Sequence, residues 1–184
     1  MQRPEVALSA RCREQARRLA ARLARERFGH VGHILASDLR RAVMTAEVLR
    51  DALGVPLAFD PGLRERDYGD LRGVAYAELT ADIFAPDYAP PGGETWETFH
   101  ARVEAAWERV VAAARREPGD LAVITHGLVC HAVATRKLDL PPGAVVGMRW
   151  GNTSLTVVEG PAYRAVRVLD CTAHLEVGTD GGPV

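Results

Sequence analysis

Three short segments of the sequence carry residue types that suit a site for a phosphate-like anion. The first, Ser37–Ala46 (SDLRRAVMTA), follows a short apolar run and is typical of a strand end that passes into a helix. Such a junction presents free backbone N–H groups and the positive end of the helix dipole. Arg40 and Arg41 add planar donor forks that match phosphate oxygens. Many helices begin with Asp and carry Arg, so this segment alone indicates little.

The second segment places His126 and Gly127 directly after the apolar run Leu121–Thr125. In wound α/β sheets, ligands bind at the carboxyl ends of strands, where a helix begins. A histidine there can donate a hydrogen bond to an anionic oxygen, and the glycine lets the backbone approach closely. A histidine that only hydrogen-bonds its own loop stays open as the simpler interpretation.

The third segment is the charged loop Leu63–Gly73 (LRERDYGDLRG), which contains Glu65. A carboxyl group that is held near phosphate oxygens has its charged form disfavoured, so its pKa rises and it can give up a proton near neutrality. Glu65 is therefore a candidate general acid. A solvated loop with internal ion pairs is the alternative interpretation.

Alternating strands and helices must position these segments. Apolar runs predict strands at 33–36, 57–59, 121–125, 153–159 and 163–170, and helical spacing predicts helices at 10–28, 39–53, 95–116 and 127–138. We expect Ser9 and Asp38 to cap the first two helices and Gly54 to end the second. This order predicts an α/β fold, a three-layer α/β/α sandwich with a mostly parallel sheet and a C-terminal hairpin. We expect the strands at 33–36, 121–125, 153–159 and 163–169 to share one sheet.

Composition narrows the class of protein. A chain of 184 residues, 47% hydrophobic and 26% charged, suits a single globular domain over 1–184, in which 69–93 is a lid-like excursion. The 23 basic and 24 acidic residues give a net charge of −1, which carries no electrostatic footprint for nucleic acid. The sequence has no apolar run near the ~18 residues of a membrane span and no secretory signal. Three cysteines without a CxxC pair (Cys12, Cys130 and Cys171) indicate reduced thiols in a cytoplasm.

In order and spacing, these segments resemble the motifs of the histidine phosphatase superfamily, which has the phosphoglycerate mutase-like fold. SDLRRAVMTAEVL is similar to its S-D-L-x-R-A-x-x-T-A element, LRERDYGDLRG to L-x-E-x-x-x-G-x-x-x-G, and ITHG to S-H-G. PPGGET, WGNTSLTVVE and DCTAHL are similar to P-G-G-E-S, N-x-S-[IL]-[ST] and N-D-T-A-H-L. LSARCREQARRLAARL is similar to the family's first helix, with Cys12 where glycine is usual. The resemblance covers about residues 8–175.

The resemblance implies a role for several residues. Arg41 would clamp the phosphoryl group, Glu65 would protonate the leaving oxygen, and His126 would hydrogen-bond the transferring phosphoryl group. Three further residues would line or brace the pocket: Arg64, Glu94 and Asn152. We expect no cofactor and no metal, since the histidines lack ligand-like spacing. The expected partner is a small phosphorylated substrate or phosphate, with no nucleic acid and no membrane, and a homodimer stays open as the assembly.

The family's Arg-His-Gly element, whose histidine attacks phosphorus, is absent from the sequence. Only seven residues precede the first-helix element, too few for a core strand of about five residues and its loop. In the family that strand lies between the strands found here at 121–125 and 153–159. Either the chain begins at an internal methionine of a longer gene product, or the protein is a family member that has lost the nucleophile and whose remaining strands have repacked. We expect the first, because Arg41, Glu65 and His126 stand in the expected contexts.

The sequence therefore predicts a histidine-phosphatase-type phosphomonoesterase that acts on a small phosphorylated metabolite. We expect it to be truncated at the N-terminus and poorly active as it stands. The short excursion at 69–93 favours a phosphatase over a phosphoglycerate mutase by resemblance alone. A catalytically dead homologue that binds a phosphorylated ligand through Arg41 and His126 is the alternative. An unstable fragment without function is the third.

Overall fold

The computed structural model describes residues 3–25, 30–116 and 118–176, in which helices and strands alternate. The helices are α1 (Ala10–Arg25), α2 (Arg40–Leu53), α3 (Trp96–Ala114) and α4 (Gly127–Lys137). The strands are β1 (Val31–Ala36), β2 (Leu57–Phe59), β3 (Asp120–Ile124), β4 (Leu155–Glu159) and β5 (Ala165–Cys171). Within these three ranges, no helix is both long enough and apolar enough to span a bilayer.

A parallel sheet with the strand order β2-β1-β3 holds the centre of the fold. At the carboxyl end of β1, Ala36 pairs with Phe59 of β2 on one side and with Ile124 of β3 on the other. The three strands therefore end at the same level. As a result, the segments that follow β1 and β3 emerge side by side at one edge of the sheet.

Helices cover both faces of this sheet. Ile34 of β1 packs in one cluster with Leu19 of α1 and Leu49 of α2. Its neighbour Leu35 packs against a second cluster, which contains Ala106 of α3. Successive side chains of a strand point to opposite faces, so these two clusters lie on opposite sides of the sheet. The predicted α/β/α layering is confirmed.

The strands β4 and β5 form a separate antiparallel hairpin. The prediction that the strands near 33–36, 121–125, 153–159 and 163–169 share one sheet is therefore wrong. The resemblance places a strand between β3 and β4, and no described strand pairs with both of them, so each has one partner strand among the described residues. The hairpin is attached to helical segments instead: the Tyr163 hydroxyl donates a hydrogen bond to the Ala114 carbonyl at 3.2 Å.

The ends of α1 and α2 follow the sequence signals where the structure describes them. The Cys12 backbone N–H donates to Ser9 Oγ at 3.2 Å, which confirms Ser9 as the cap of α1. The predicted end of that helix at Phe28 lies outside the described residues. Gly54 ends α2 with φ 69°, a left-handed conformation that glycine adopts without strain.

The start of α2 differs from the prediction, because Asp38 does not cap the helix. The N-cap position is Leu39, and its side chain makes no capping hydrogen bond. The Asp38 carboxylate instead accepts two hydrogen bonds from the Arg64 guanidinium, at 2.6 and 2.5 Å. A bidentate, charge-assisted pair outcompetes the neutral backbone N–H groups for the same oxygens.

Residues 69–93 carry two short 3₁₀ turns, Gly69–Leu71 and Tyr76–Glu78, and no strand. The Asp70 backbone N–H donates to the Pro91 carbonyl at 2.9 Å, so the start and the end of the excursion are joined. Ile83 is buried in a cluster with residues of α3 and α4, including Phe99. This part of the chain is thereby packed over the helices beside the carboxyl end of the sheet.

Candidate active site

A cavity of about 1160 Å³ opens at the carboxyl ends of β1 and β3. Its lining includes Ile124, at the end of β3, and Ser154, just before β4. The cavity therefore lies between the end of β3 and the segment that leads into β4. Arg41, Glu65 and His126 all line it, so the fold brings together the three side chains that the sequence singled out.

His126 is buried at the start of α4, with 8% of its surface exposed. Its Nε2 lies 2.8 Å from Oγ of Ser37, which is fully buried, and the Ser37 backbone N–H donates to the Ile124 carbonyl at 2.9 Å. Burial, together with the positive charge of Arg41, lowers the pKa of His126 to about 3. The imidazole is therefore neutral near pH 7 and has one N–H to donate.

Arg41 lies in the first turn of α2 and faces both Glu65 and His126 electrostatically. Burial lowers the pKa of its guanidinium, and the charge of Glu65 opposes that shift. Its Nη1 is buried, and among the described residues no acceptor lies within hydrogen-bonding distance. A buried donor without a partner costs about 1–3 kcal/mol, and an anion in the cavity would remove that cost.

Glu65 is half-buried, with both carboxylate oxygens directed at backbone N–H groups. One oxygen accepts from Arg66 N at 3.1 Å and the other from Leu128 N, in the first turn of α4, at 3.3 Å. Burial raises the pKa of Glu65, while these hydrogen bonds and the charge of Arg41 partly oppose the rise. Glu65 therefore keeps its proton to a higher pH than an exposed glutamate and can act as an acid.

The structure separates the three further residues expected at the pocket. Arg64 and Asn152 line the cavity. Arg64 is held in its ion pair with Asp38, and the Asn152 amide donates a hydrogen bond to Gln15 Oε1. Glu94 is not among the lining residues. Its carboxylate accepts a hydrogen bond from the backbone N–H of Asp67, in the loop that carries Glu65.

Sequence reasoning missed three side chains at the site. Ser37 belongs to the SDLRRAVMTA segment, yet nothing in its position showed that it would contact a histidine 89 residues away. Arg102 contacts backbone carbonyls 37 to 40 positions away, and only the fold brings them together. Trp150 lines the cavity with a buried Nε1, for which the described residues offer no acceptor.

The arrangement combines hydrogen-bond donors with a carboxyl group that can hold a proton. Arg41 has an unused donor, His126 is a neutral imidazole, and Glu65 is a weak acid within the same cavity. This set suits a tetrahedral anion whose departing oxygen takes up a proton. In the part of the chain that the structure describes, no group of three or more His, Cys, Asp or Glu side chains could hold a metal ion.

Similarity to known proteins extends over nearly the whole chain. It is 31% identical to phosphoglycerate mutase-like protein 4 of Arabidopsis thaliana, over 94% of this chain and 77% of that protein. It superimposes on a mycobacterial glucosyl-3-phosphoglycerate phosphatase in complex with inorganic phosphate with a TM-score of 0.76, at 28% identity, over 96% and 93% of the two chains. The alpha-ribazole phosphatase of Shigella flexneri, 22% identical, has the same fold, with a TM-score of 0.74 over 92% and 86%.

The family model of the histidine phosphatase superfamily, branch 1, matches residues 1–169. The match includes the segments that carry Arg41, Glu65 and His126, and it agrees with the fold shared by the solved structures. This protein belongs to the histidine phosphatase superfamily.

Proposed function

We propose that the protein is a phosphomonoesterase that acts on a small phosphorylated metabolite of the cytoplasm. The observation that carries this proposal is the buried Nη1 of Arg41, which has no acceptor among the described residues and lies in the cavity that also holds Glu65 and His126. A phosphoryl group there would accept hydrogen bonds from Arg41 and His126. Its leaving oxygen would face the protonated carboxyl of Glu65. The phosphatase bound to inorganic phosphate among the structural relatives supports this reaction class.

The proposed reaction has two steps. A histidine nitrogen attacks phosphorus, the bond from phosphorus to the leaving oxygen breaks, and Glu65 transfers its proton to that oxygen. Water then attacks the phosphohistidine, the P–N bond breaks, and the Glu65 carboxylate takes a proton from the water. Phosphate leaves, and both the histidine and the acid are restored. Arg41 stabilises the charge on the phosphoryl oxygens throughout, and neutral His126 donates its N–H.

The nucleophile of this scheme is proposed to come from a further strand in the gap between β3 and β4. The 184 residues contain no Arg-His-Gly, and β3 and β4 each have one partner strand among the described residues. A strand that extends β3 in parallel would end beside Arg41 and His126. We propose that the 184 residues are poorly active alone and become active when such a strand is joined or supplied to them.

Binding of a phosphorylated ligand without turnover is the second candidate function, and the missing Arg-His-Gly favours it. Arg41 and His126 can hold a phosphate without any attacking histidine. Each charged hydrogen bond contributes about 1.5–3 kcal/mol. In subtilisin, loss of the nucleophile costs about 10⁶ in kcat, whereas charge stabilisation and binding survive.

Phosphate binding tests the site itself. Inorganic phosphate is titrated into the 184-residue protein by calorimetry or ³¹P NMR. Replacement of Arg41 by Ala is expected to raise the Kd by roughly 10- to 100-fold, the equivalent of one charged hydrogen bond. Arg50→Ala is the matched control, because Arg50 is an exposed residue of the same helix, and its Kd should stay within about twofold. Equal effects of the two substitutions would contradict the proposed site.

Strand complementation separates the two candidate functions. A synthetic peptide of about ten residues, an apolar strand that ends in Arg-His-Gly, is added to the protein and an aryl phosphate is assayed. Hydrolysis with this peptide, and none with its Arg-Ala-Gly counterpart, supports the phosphomonoesterase. Phosphate binding without hydrolysis in either case supports the binding protein. Acid-labile phosphohistidine on the chain alone, at ordinary turnover, would overturn the proposal and place the nucleophile among its own histidines.

A further inference from the structure

Arg102 of α3 makes five hydrogen bonds, two to the Glu94 carboxylate and three to backbone carbonyls of the segment around Glu65. Its Nε and Nη2 donate to the two carboxylate oxygens of Glu94, both at 2.7 Å. Its Nη1 donates to the carbonyls of Gly62 and Arg64, both at 2.9 Å, and Nη2 also reaches the Glu65 carbonyl at 3.5 Å. A guanidinium has five N–H groups in a rigid plane, whereas a lysine ammonium has three and no fork.

Glu94 holds the other side of the same segment. Its Oε2, which already accepts from Arg102, also accepts from Asp67 N at 2.9 Å. Its backbone carbonyl accepts from Nε and Nη2 of Arg66, at 3.2 and 3.0 Å. The backbone is therefore tethered just before Glu65 by Arg102 and just after it by Glu94. Only 23% and 17% of the Arg102 and Glu94 side chains are exposed, so water competes weakly for these hydrogen bonds.

This tethering determines where the Glu65 carboxyl lies. The carboxylate accepts from Leu128 N of α4 at 3.3 Å, and this contact depends on the position of the backbone at Glu65; its contact with Arg66 N, at 3.1 Å, is with the neighbouring peptide. Burial raises the pKa of Glu65, and those two hydrogen bonds lower it. A shift of the backbone would therefore change both the location of the carboxyl and its protonation.

We propose that Arg102 is the positioning residue of Glu65, whose carboxyl it holds over the cavity through Glu94 and three backbone carbonyls. Arg102 does not itself line the cavity, so it acts on the reaction only through Glu65. The inference rests on the proposed function, in which Glu65 protonates the leaving oxygen. A lysine at this position keeps the positive charge and loses both the fork and two donors, so it tests geometry separately from charge.

The test compares Arg102→Lys with Arg109→Lys in the full chain. Arg109 is also in α3 and also forms a bidentate pair with a carboxylate, that of Asp60, at 2.8 and 2.9 Å. The pKa of Glu65 is measured by ¹³C NMR titration of its carboxyl carbon, which is assigned with Glu65→Gln. In Arg102→Lys this pKa is expected to fall toward its ordinary value of 4.5, because the carboxyl moves into water. In Arg109→Lys it is expected to stay where it is.

An unchanged Glu65 pKa in Arg102→Lys, or an equal change in Arg109→Lys, would overturn the inference. If Arg102→Lys does not fold, Glu94→Gln removes the same ion pair at nearly constant volume and is expected to shift the pKa in the same direction. Phosphate affinity is measured in parallel and is expected to change by less than about twofold in Arg102→Lys, since Arg41 is held by α2. If the unsubstituted protein does not bind phosphate, that result contradicts the proposed function. The inference that Arg102 positions Glu65 is tested separately, by the pKa of Glu65.

Discussion

Folding shifts the pKa values of His126 and Glu65 in opposite directions. Each shift makes the free energy of unfolding depend on pH. The fold lowers the pKa of His126 from 6.5 to about 3 and raises that of Glu65 above 4.5. Below pH 6.5 His126 binds a proton in the unfolded chain but stays neutral in the folded protein. Its ionisation therefore lowers the free energy of unfolding as the pH falls. Glu65 acts in the other direction: its stabilising effect is present at low pH and is lost as the pH rises from 4.5 through its folded pKa.

The first prediction follows from His126. Between pH 6.5 and pH 5, its ionisation is expected to lower the free energy of unfolding by up to about 1.4 kcal/mol per pH unit. The substitution His126→Gln should remove that slope. Urea unfolding of both proteins at pH 7, 6 and 5 measures the difference, with Glu65→Gln as a control whose slope changes in the opposite sense. Parallel slopes for the original protein and His126→Gln would show that the imidazole titrates normally in the folded state.

The sequence identified three side chains of the cavity but not the contacts that hold them. Guanidinium, carboxyl and imidazole groups near strand ends indicated an anion site, and the resemblance to the histidine phosphatases singled out Arg41, Glu65 and His126 within those segments. Ser37 and Arg102 were not found, because their contacts with these groups depend on distances that only the fold sets. Sequence reasoning also expected phosphate to raise the pKa of Glu65, whereas burial within the empty protein already does so.

At the scale of elements, the two ends of the excursion at 69–93 pack against each other at Gly69, which lies beside the backbone of Pro91 and Gly92. Gly69 has φ 50°, and a Cβ added there would lie 2.1 Å from the Pro91 carbonyl oxygen and 2.4 Å from the carbonyl carbon of Gly92. Both contacts are with backbone, which cannot move aside as a flexible side chain can. Gly143 also has a positive φ, 78°, and a Cβ there would meet nothing within 4 Å.

The second prediction compares alanine at these two glycines. In Gly143→Ala the left-handed backbone alone is expected to cost about 1–2 kcal/mol of unfolding free energy. In Gly69→Ala the clash with the backbone of Pro91 and Gly92 should add at least ~1 kcal/mol to that cost. Urea unfolding of both variants at pH 7 measures the difference. Equal losses would mean that the excursion is not packed tightly at Pro91 and Gly92.

The order of the elements could be predicted from apolar spacing, but the start of α2 could not. Asp38 has the residue type and position of a helix cap, and local sequence offers no competitor for its carboxylate. The competitor is Arg64, which lies 26 residues further along the chain. Local signals identify helices and their glycine ends well, because those depend on neighbouring residues. They fail where a distant charge takes the capping group.

At the scale of the whole molecule, the sheet is divided. The strand β1 has partners on both sides, whereas β3 and β4 each have one partner strand among the described residues. Apolar edge strands are prone to pair with further strands. One sheet was predicted from the alternation of strands and helices and from the family resemblance. In the family, the strand that carries Arg-His-Gly joins the two runs at 121–125 and 153–159, and this sequence has no such element.

The third prediction concerns hydrogen exchange. Amides of β1 from Ile34 to Ala36, which have a partner strand on each side, are expected to be protected. In β3 and β4, protected amides should alternate with amides that exchange rapidly, because every second one points at the open edge. Exchange followed by mass spectrometry with site-resolved fragmentation, or by NMR, measures this pattern. The Arg-His-Gly peptide should slow the fast set, and uniform protection of β3 without the peptide would contradict the divided sheet.

The buried Nη1 donor of Arg41 would make the free energy of unfolding depend on the concentration of an anionic ligand. The Arg41 guanidinium is partly buried and its Nη1 has no acceptor among the described residues, so the empty protein bears a desolvation cost that an anion would relieve. A ligand that binds the folded state alone raises stability by mass action. A guanidinium that suits an anion thus lowers the stability of the unliganded chain, a trade-off between function and stability that a bound anion would offset.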